Sequence, residues 1–252
     1  DTSFDQLDAP ARALLFLLGW MAPAPIPRAL LESEKAAQIL AECIERLRPP
    51  GQSTGRVVAD MEDALAMLAS FSLLQWERGN QSFRVHRLVQ EVTRERLVPE
   101  QEQAQRMPWL QAALALVNDY LPGDPPPHDV RSWPLWEPMQ PHLMSVANAA
   151  DEACIAEPTS RLMNDLGLLL TAKSLWSSAE PLMRRALAID EGSYGPDHPR
   201  VAIHLNNLAQ LLQATNRLAE AEPLMRRALA IDEASYGPDH PRVAIHLNNL
   251  AQ

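Results

Sequence analysis

Cysteine is scarce: Cys43 and Cys154 stand alone in 252 residues, and neither belongs to a CxxC or His/Cys cluster. A disulfide framework and a zinc site built on thiolates are both excluded, and the two side chains read as small buried hydrophobes. Aromatic residues make up only 5% while Leu and Ala dominate, which favours helix over strand. No apolar run approaches the roughly 18 residues that a membrane span requires. The opening Asp1-Thr2-Ser3 shows no basic-then-apolar signal segment, so the expected location is cytoplasmic and the Asn80-Gln81-Ser82 sequon reads as chance. Positive charge is in deficit, with 22 Lys and Arg against 32 Asp and Glu, a net charge of −10. That balance disfavours a nucleic-acid or anionic-membrane binder.

Catalytic signatures are missing too. There is no GxxxxGK[ST] loop: Gly51-Gln52-Ser53-Thr54-Gly55-Arg56 has the wrong spacing and lacks the lysine that would reach phosphates. HExxH and GxSxG are absent. His198, His204, His240 and His246 recur only because a longer unit recurs, and six residues between partners do not place both on one helical face. No metal site is expected. The chain reads as no enzyme by itself and as holding no cofactor.

What is present is a repeat. Residues 179–210 recur as 221–252 at an offset of 42, with 31 of 32 positions identical and Gly192 replaced by Ala234. Such self-similarity points to a solenoid. An older copy runs from Leu162, where LMNDLGLLLTAKSLWSSAEPL aligns with HLNNLAQLLQATNRLAEAEPL from His204. Each unit has two helical stretches. Val201, Leu205, Leu208, Ala209 and Leu212 form the apolar stripe of the first, and Ala221, Leu224, Met225, Ala228, Leu229 and Ile231 that of the second. Asp197 is the expected N-cap ahead of His198-Pro199. Gly195-Pro196 and Gly237-Pro238 end the second helix. Pro181 and Pro223 are placed within or near its first turn. Arg184-Arg185 and Arg226-Arg227 are expected to form surface pairs with Glu180, Glu222, Asp190 and Asp232.

The small residues of Leu208-Ala209, Ala221 and Ala228 resemble the tetratricopeptide family, and GPDHPxVAxxLNNLA resembles its kinesin-light-chain-type subclass. The resemblance spans roughly residues 160–252. It implies an α-solenoid in which first helices line a concave groove. It also implies that amides on those helices hold a peptide backbone, by position Asn164, Asn206, Asn207, Gln210, Gln213 and Asn248. Amides both donate and accept, which suits extended-peptide recognition. The last unit stops after one helix, so the expectation is a piece of a longer array whose end can self-associate.

Residues 8–98 read differently. Helices are expected at Ala11–Met21, Arg28–Glu32, Glu34–Leu47 and Asp60–Leu73, with a loop over Pro49–Gly55. Leu74–Arg78 and Ser82–Val85 alternate like a two-stranded hairpin around Gly79-Asn80, and a helix resumes at His86–Val92. Helices followed by a hairpin describe a winged helix. Asp60–Met67, the helix that would enter a DNA groove, carries three acids and no base, so phosphates would repel it. Arg84, Arg87, Arg94 and Arg96 are expected to be solvated or paired with Glu91 and Glu95.

Leu14-Leu15, Pro25-Ile26-Pro27, Ser72-Leu73-Leu74 and Phe83–Gln90 together resemble the winged-helix part of NB-ARC-type signalling NTPases of the STAND class. Val85-His86-Arg87 stands where that family has Met-His-Asp, departing at the first and third residues. The resemblance implies that His86 senses nucleotide in an intact parent, with ATP or ADP bound by a domain ahead of Asp1. Residues 100–158 form a helical bridge, with helix at Gln103–Tyr120, a rigid Leu121–Pro127 connection, and a Ser132–His142 stretch leading into a helix near Glu152. Trp133 and Trp136 read as core.

The expected division is therefore a winged helix over 1–99, the bridge over 100–158 and a tetratricopeptide array over 159–252. The expected function is a regulatory sensor arm of a STAND-type NTPase, whose array binds a protein or peptide. A winged-helix transcription regulator and a plain peptide-binding scaffold are the alternatives.

Overall fold

A computed structural model describes residues 2–47, 60–96, 103–121 and 123–250. The loop expected over Pro49–Gly55, with Gly51–Arg56, lies outside the described residues. The chain divides into two compact units, residues 1–122 with 134–155, and residues 123–133 with 156–252.

In the first unit, a short α1 (Thr2–Asp5) precedes α2 (Ala9–Leu18). Asp8 caps α2 by accepting from the Ala11 amide at 2.8 Å. Seven of the ten residues of α2 are buried, so this helix is the centre of the unit and not an amphipathic surface element. Ser33 and Asp60 cap α3 (Glu34–Arg46) and α4 (Met61–Ser70) in the same way.

The short helix expected at Arg28–Glu32 is a single 3-10 turn over Arg28–Leu31, and the Ile26-Pro27 ahead of it is a strand, β1. Together with β2 (Leu74–Trp76) and β3 (Ser82–Val85) it makes an antiparallel sheet of order β1-β3-β2, in which Ile26 and Trp76 both oppose Phe83. The hairpin legible in sequence thus gains a third strand. A proline in a two-residue segment hides a strand from pattern reading, yet an edge strand tolerates the missing N–H. The strands lead into α5 (Arg87–Arg96).

The expected bridge helices are α6 (Gln103–Tyr120) and α7 (Trp133–Glu152). Trp109, Leu110, Leu114 and Leu116 of α6 are buried, and Trp109 meets Phe16 of α2 edge-on at 4.8 Å. α7 starts nearer the chain's beginning than expected and runs through Pro138 and Pro141 without a break. Trp136 is completely buried and Trp133 half-buried.

Between α2 and β1 the chain passes through prolines and has no ladder to take up its carbonyls. Turn amides reach two of them, Met21 to Leu18 at 3.2 Å and Ala24 to Ala22 at 2.8 Å, and side chains add further donors. Gln90 Nε2 donates to the Leu18 carbonyl at 3.1 Å and Arg94 to that of Gly19 at 2.8 Å. Ser145 donates to Trp20 at 2.8 Å, and His142 Nε2 lies 3.0 Å from the Pro25 carbonyl. Arg94 is therefore neither solvated nor simply paired with an acid, because it sits at the negative end of α2. Burial lowers the pKa of both Arg94 and His142, so His142 serves as a neutral donor. Arg84 and Arg87 pair with Glu77 and Glu91.

The second unit opens with residues 123–129, which hold neither helix nor strand, and continues into the repeats. These are α8 (Thr159–Ala172) with α9 (Trp176–Tyr194), α10 (Pro199–Ala214) with α11 (Leu218–Tyr236), and then α12 (Pro241–Leu250). The first-helix stripe of Val201, Leu205, Leu208, Ala209 and Leu212 is fully buried. In α11, Leu224 and Leu229 are only half-buried while the rest of the expected stripe is inside.

Within a pair the turn runs through a left-handed residue, Ser174 at φ 58° or Asn216 at φ 59°. The next amide returns five residues, Leu175 to Leu170 and Arg217 to Leu212, both at 2.8 Å. Second helices end at Gly195 and Gly237, whose φ of 89° and 88° disfavours any other residue.

Two local expectations shift. The N-cap is His198, not Asp197: its Nδ1 accepts from the Arg200 amide at 3.2 Å, which puts Pro199 in the first position. Pro181 and Pro223 lie deeper than the first turn, because α9 and α11 begin five residues before them.

Gln90→Leu removes a buried donor and leaves the Leu18 carbonyl with the Met21 amide alone. The expected loss is roughly 1–3 kcal/mol in urea unfolding, and an unchanged midpoint would contradict the carbonyl-holding role.

Candidate ligand-binding face

The 42-residue period puts each chemical group of one unit beside its copy in the next, and two contacts are made twice. On the first helices, Asn207 Nδ2 of α10 donates to Asn164 Oδ1 of α8 at 3.1 Å. One unit later, Asn249 Nδ2 of α12 donates to Asn206 Oδ1 of α10 at 2.8 Å. Gln213 Nε2 adds a bond to the Asn249 carbonyl at 3.4 Å. The six amide residues singled out from the sequence therefore separate into groups. Asn164 is only 4% exposed and serves as an acceptor inside the stack. Asn206, Asn207 and Gln213 are half-buried at the seams, and Gln210 and Asn248 are exposed.

Helical spacing places Ile203, Asn206, Asn207 and Gln210 on one face of α10. Ile203 is 40% exposed and its copy Ile245 on α12 is 55% exposed. Neither isoleucine nor Asn249 stands out in a single copy of the sequence. The signal that marks Asn249 is the offset of 43 in both bonds, one more than the period. In α8 the corresponding positions carry charge: Arg161 replaces Ile203, Asp165 replaces Asn207, and the two pair at 2.8 Å. Burial raises the pKa of Asp165 against the opposing pull of Arg161.

The second repeated contact lies in the core. His204 Nε2 of α10 meets Asp190 Oδ2 of α9 at 2.9 Å, and His246 Nε2 of α12 meets Asp232 Oδ2 of α11 at 3.0 Å. His204 is 6% and Asp190 1% exposed. This overturns the expectation of surface pairs for Asp190 and Asp232. The arginines reach other acids: Arg184 pairs with Glu180 and Arg226 with Glu222, while Arg217 to Glu180 and Arg227 to Glu191 tie α11 to α9. The sequence spacing that matched Arg with Asp ignored which face of the second helix is buried. Leu162 stands where later units have His204 and is fully buried, so the older copy fills the place without a polar group.

Burial pushes the Asp190 carboxyl up, but hydrogen bonds from His204 and Ser160 outweigh it and hold the group below the usual carboxylate range. A depressed pKa contributes stability that is full above the unfolded value and is lost as acid titrates the folded carboxylate.

The inter-unit loops also repeat. Tyr194 stacks on His198 at 4.8 Å with Arg200 over its ring, and Tyr236, His240 and Arg242 repeat the arrangement.

His86, in the other unit, is exposed. Its Nδ1 accepts from the Leu88 amide at 3.2 Å, so the ring caps α5. Among the described residues no group of His, Cys, Asp and Glu could hold a metal ion, and no helix is long and apolar enough to cross a membrane.

His204→Leu leaves the buried Asp190 carboxylate with Ser160 as its remaining partner. The expected loss is about 3–5 kcal/mol. The double variant His204→Leu/Asp190→Leu recovers most of it, following the Leu162 precedent. Urea unfolding of both variants checks this, and equal midpoints would contradict the pairing. The single-site effect should shrink in acid as Asp190 becomes neutral.

Residues 158–234 and 205–252 match the tetratricopeptide repeat family model. Residues 2–102 match a domain of unknown function, DUF7779. No curated protein matches the chain. The repeat array over residues 158–252 is thus of the tetratricopeptide type, a class that generally mediates protein–protein interaction.

Proposed function

We propose that this chain is a protein-interaction scaffold whose ligand face is formed by α8, α10 and α12. The observation that carries this reading is the row of exposed or half-buried amides on α10 and α12, flanked by Ile203 and Ile245 and continued on α8 by the buried Asn164. Groups that both donate and accept, set beside apolar side chains, suit a polypeptide main chain better than a small charged ligand. The second helices offer ion pairs already satisfied by one another, which are poor anchors for a partner.

A second reading concerns the N-terminal unit. Its order of α2, β1, α3, α4, β2, β3 with a β1-β3-β2 sheet supports a winged-helix reading. In this reading the unit relays the state of the array to a nucleotide-binding domain outside these residues, as the STAND resemblance implies, with ATP or ADP bound there. His86, exposed at the exit of the sheet, would be the contact. A role in reading DNA is disfavoured by the exposed Asp60, Glu62 and Asp63 at the start of α4.

Displayed random peptides selected on the immobilised chain test the first reading. Gln210→Arg and Asn248→Arg are expected to weaken selected peptides at least about tenfold (about 1.4 kcal/mol), and Arg226→Ala on α11 to leave them unchanged. Peptides insensitive to both first-helix variants would contradict it. For the second reading, residues 1–252 should hydrolyse no ATP, and any binding to duplex DNA should vanish at physiological salt. Turnover or salt-resistant binding would overturn it.

A further inference from the structure

One open cavity of the first unit collects charges that the fold leaves unused. It has a volume of about 400 Å³ and is lined by Trp20 after α2, by Glu91, Arg94 and Glu95 of α5, by Arg106 of α6 and by Glu152 of α7. Small-molecule sites usually measure roughly 300–1,000 Å³.

Its cationic side holds donors in excess. Trp20 Nε1 and Arg106 Nε are both buried, and neither has an acceptor among the described residues. A buried donor without an acceptor is costly, and folds keep few of them without a use. Arg94 gives one guanidinium nitrogen to the Gly19 carbonyl. Burial first, and then the like charges of Arg87 and Arg106 against the pull of Glu91, hold the Arg94 pKa below its ordinary value. An anion set between Arg94 and Arg106 relieves that repulsion and takes up the spare donors.

The opposite sign is present as well. Glu91 is paired with Arg87. Glu95 and Glu152 are exposed, and neither has a cationic partner among the described residues. The unspent charge is therefore two guanidinium groups and two carboxylates. A simple anion satisfies the first pair and is repelled by the second, and a simple cation does the reverse. A ligand with both signs a few ångströms apart satisfies both.

We propose that this cavity binds a free α-amino acid with an uncharged side chain. Its carboxylate turns to the Arg94, Arg106 and Trp20 donors, and its ammonium to Glu95 and Glu152. The site lies in the first unit and stands or falls independently of the first-helix reading.

Thermal unfolding and titration calorimetry of the full chain with each of the protein L-α-amino acids test this. At least one with an uncharged side chain is expected to raise the unfolding midpoint. Its N-acetyl derivative keeps only the carboxylate and its amide keeps only the ammonium. Each should bind at least about tenfold weaker (about 1.4 kcal/mol). Arg106→Met and Glu152→Gln should each cost about tenfold in affinity. The unligated midpoint should stay unchanged in Glu152→Gln and should not fall in Arg106→Met, which removes an orphan donor. No midpoint shift with any amino acid overturns the proposal. Equal binding of the N-acetyl derivative or of the amide overturns it too, leaving a site for one sign of charge only. So do variants that lower the unligated midpoint and leave affinity intact, because the charges are then structural.

Discussion

Stacking in the array turns on a buried carboxylate that must find its imidazole. Asp190 near the end of α9 is buried, and besides Ser160 its hydrogen-bond partner is His204, which arrives from the next unit after the Gly195 turn. A one-residue slip would strand the charge away from water, at a cost comparable to a large part of a domain's stability. The same geometry at Asp232 and His246 fixes the next junction. Registered core contacts in turn place the first helices so that Asn207 finds Asn164 and Asn249 finds Asn206. The amide row is a consequence of the core pairing, and the candidate ligand face inherits its regularity from it.

The N-terminal unit solves a different problem with similar means. A nearly all-buried helix, α2, must end inside the unit, and prolines prevent the chain from continuing as a ladder. Donors carried by α5 and α7 reach the carbonyls of residues 18, 19, 20 and 25. Gln90, Arg94, His142 and Ser145 thereby tie the element after the sheet and a late helix to the first core helix. Their value lies in satisfying buried acceptors, each costly if left unmade.

Much of this was legible in the sequence, for physical reasons that also mark where legibility ends. The repeat gave its helices, their apolar stripes and the Gly195 and Gly237 exits, because periodicity and glycine torsions are local properties. The division of labour among the amides was not legible: Asn164 and Asn206 are the same position in successive units, yet one is buried and the other half-buried at a seam. Asp190 lies only five and six residues after Arg185 and Arg184, but nearness along a helix says which residues are neighbours, not which face is inside. β1 was invisible because two residues with a proline carry no alternation, and its pairing partner Phe83 lies 57 positions away in sequence.

Hydrogen–deuterium exchange on the full chain, with and without a library-selected peptide, tests the central claim most directly. The account predicts that added protection concentrates in α8, α10 and α12 and leaves α9 and α11 unchanged. Protection confined to the second helices, or to α5 and the sheet, would contradict it.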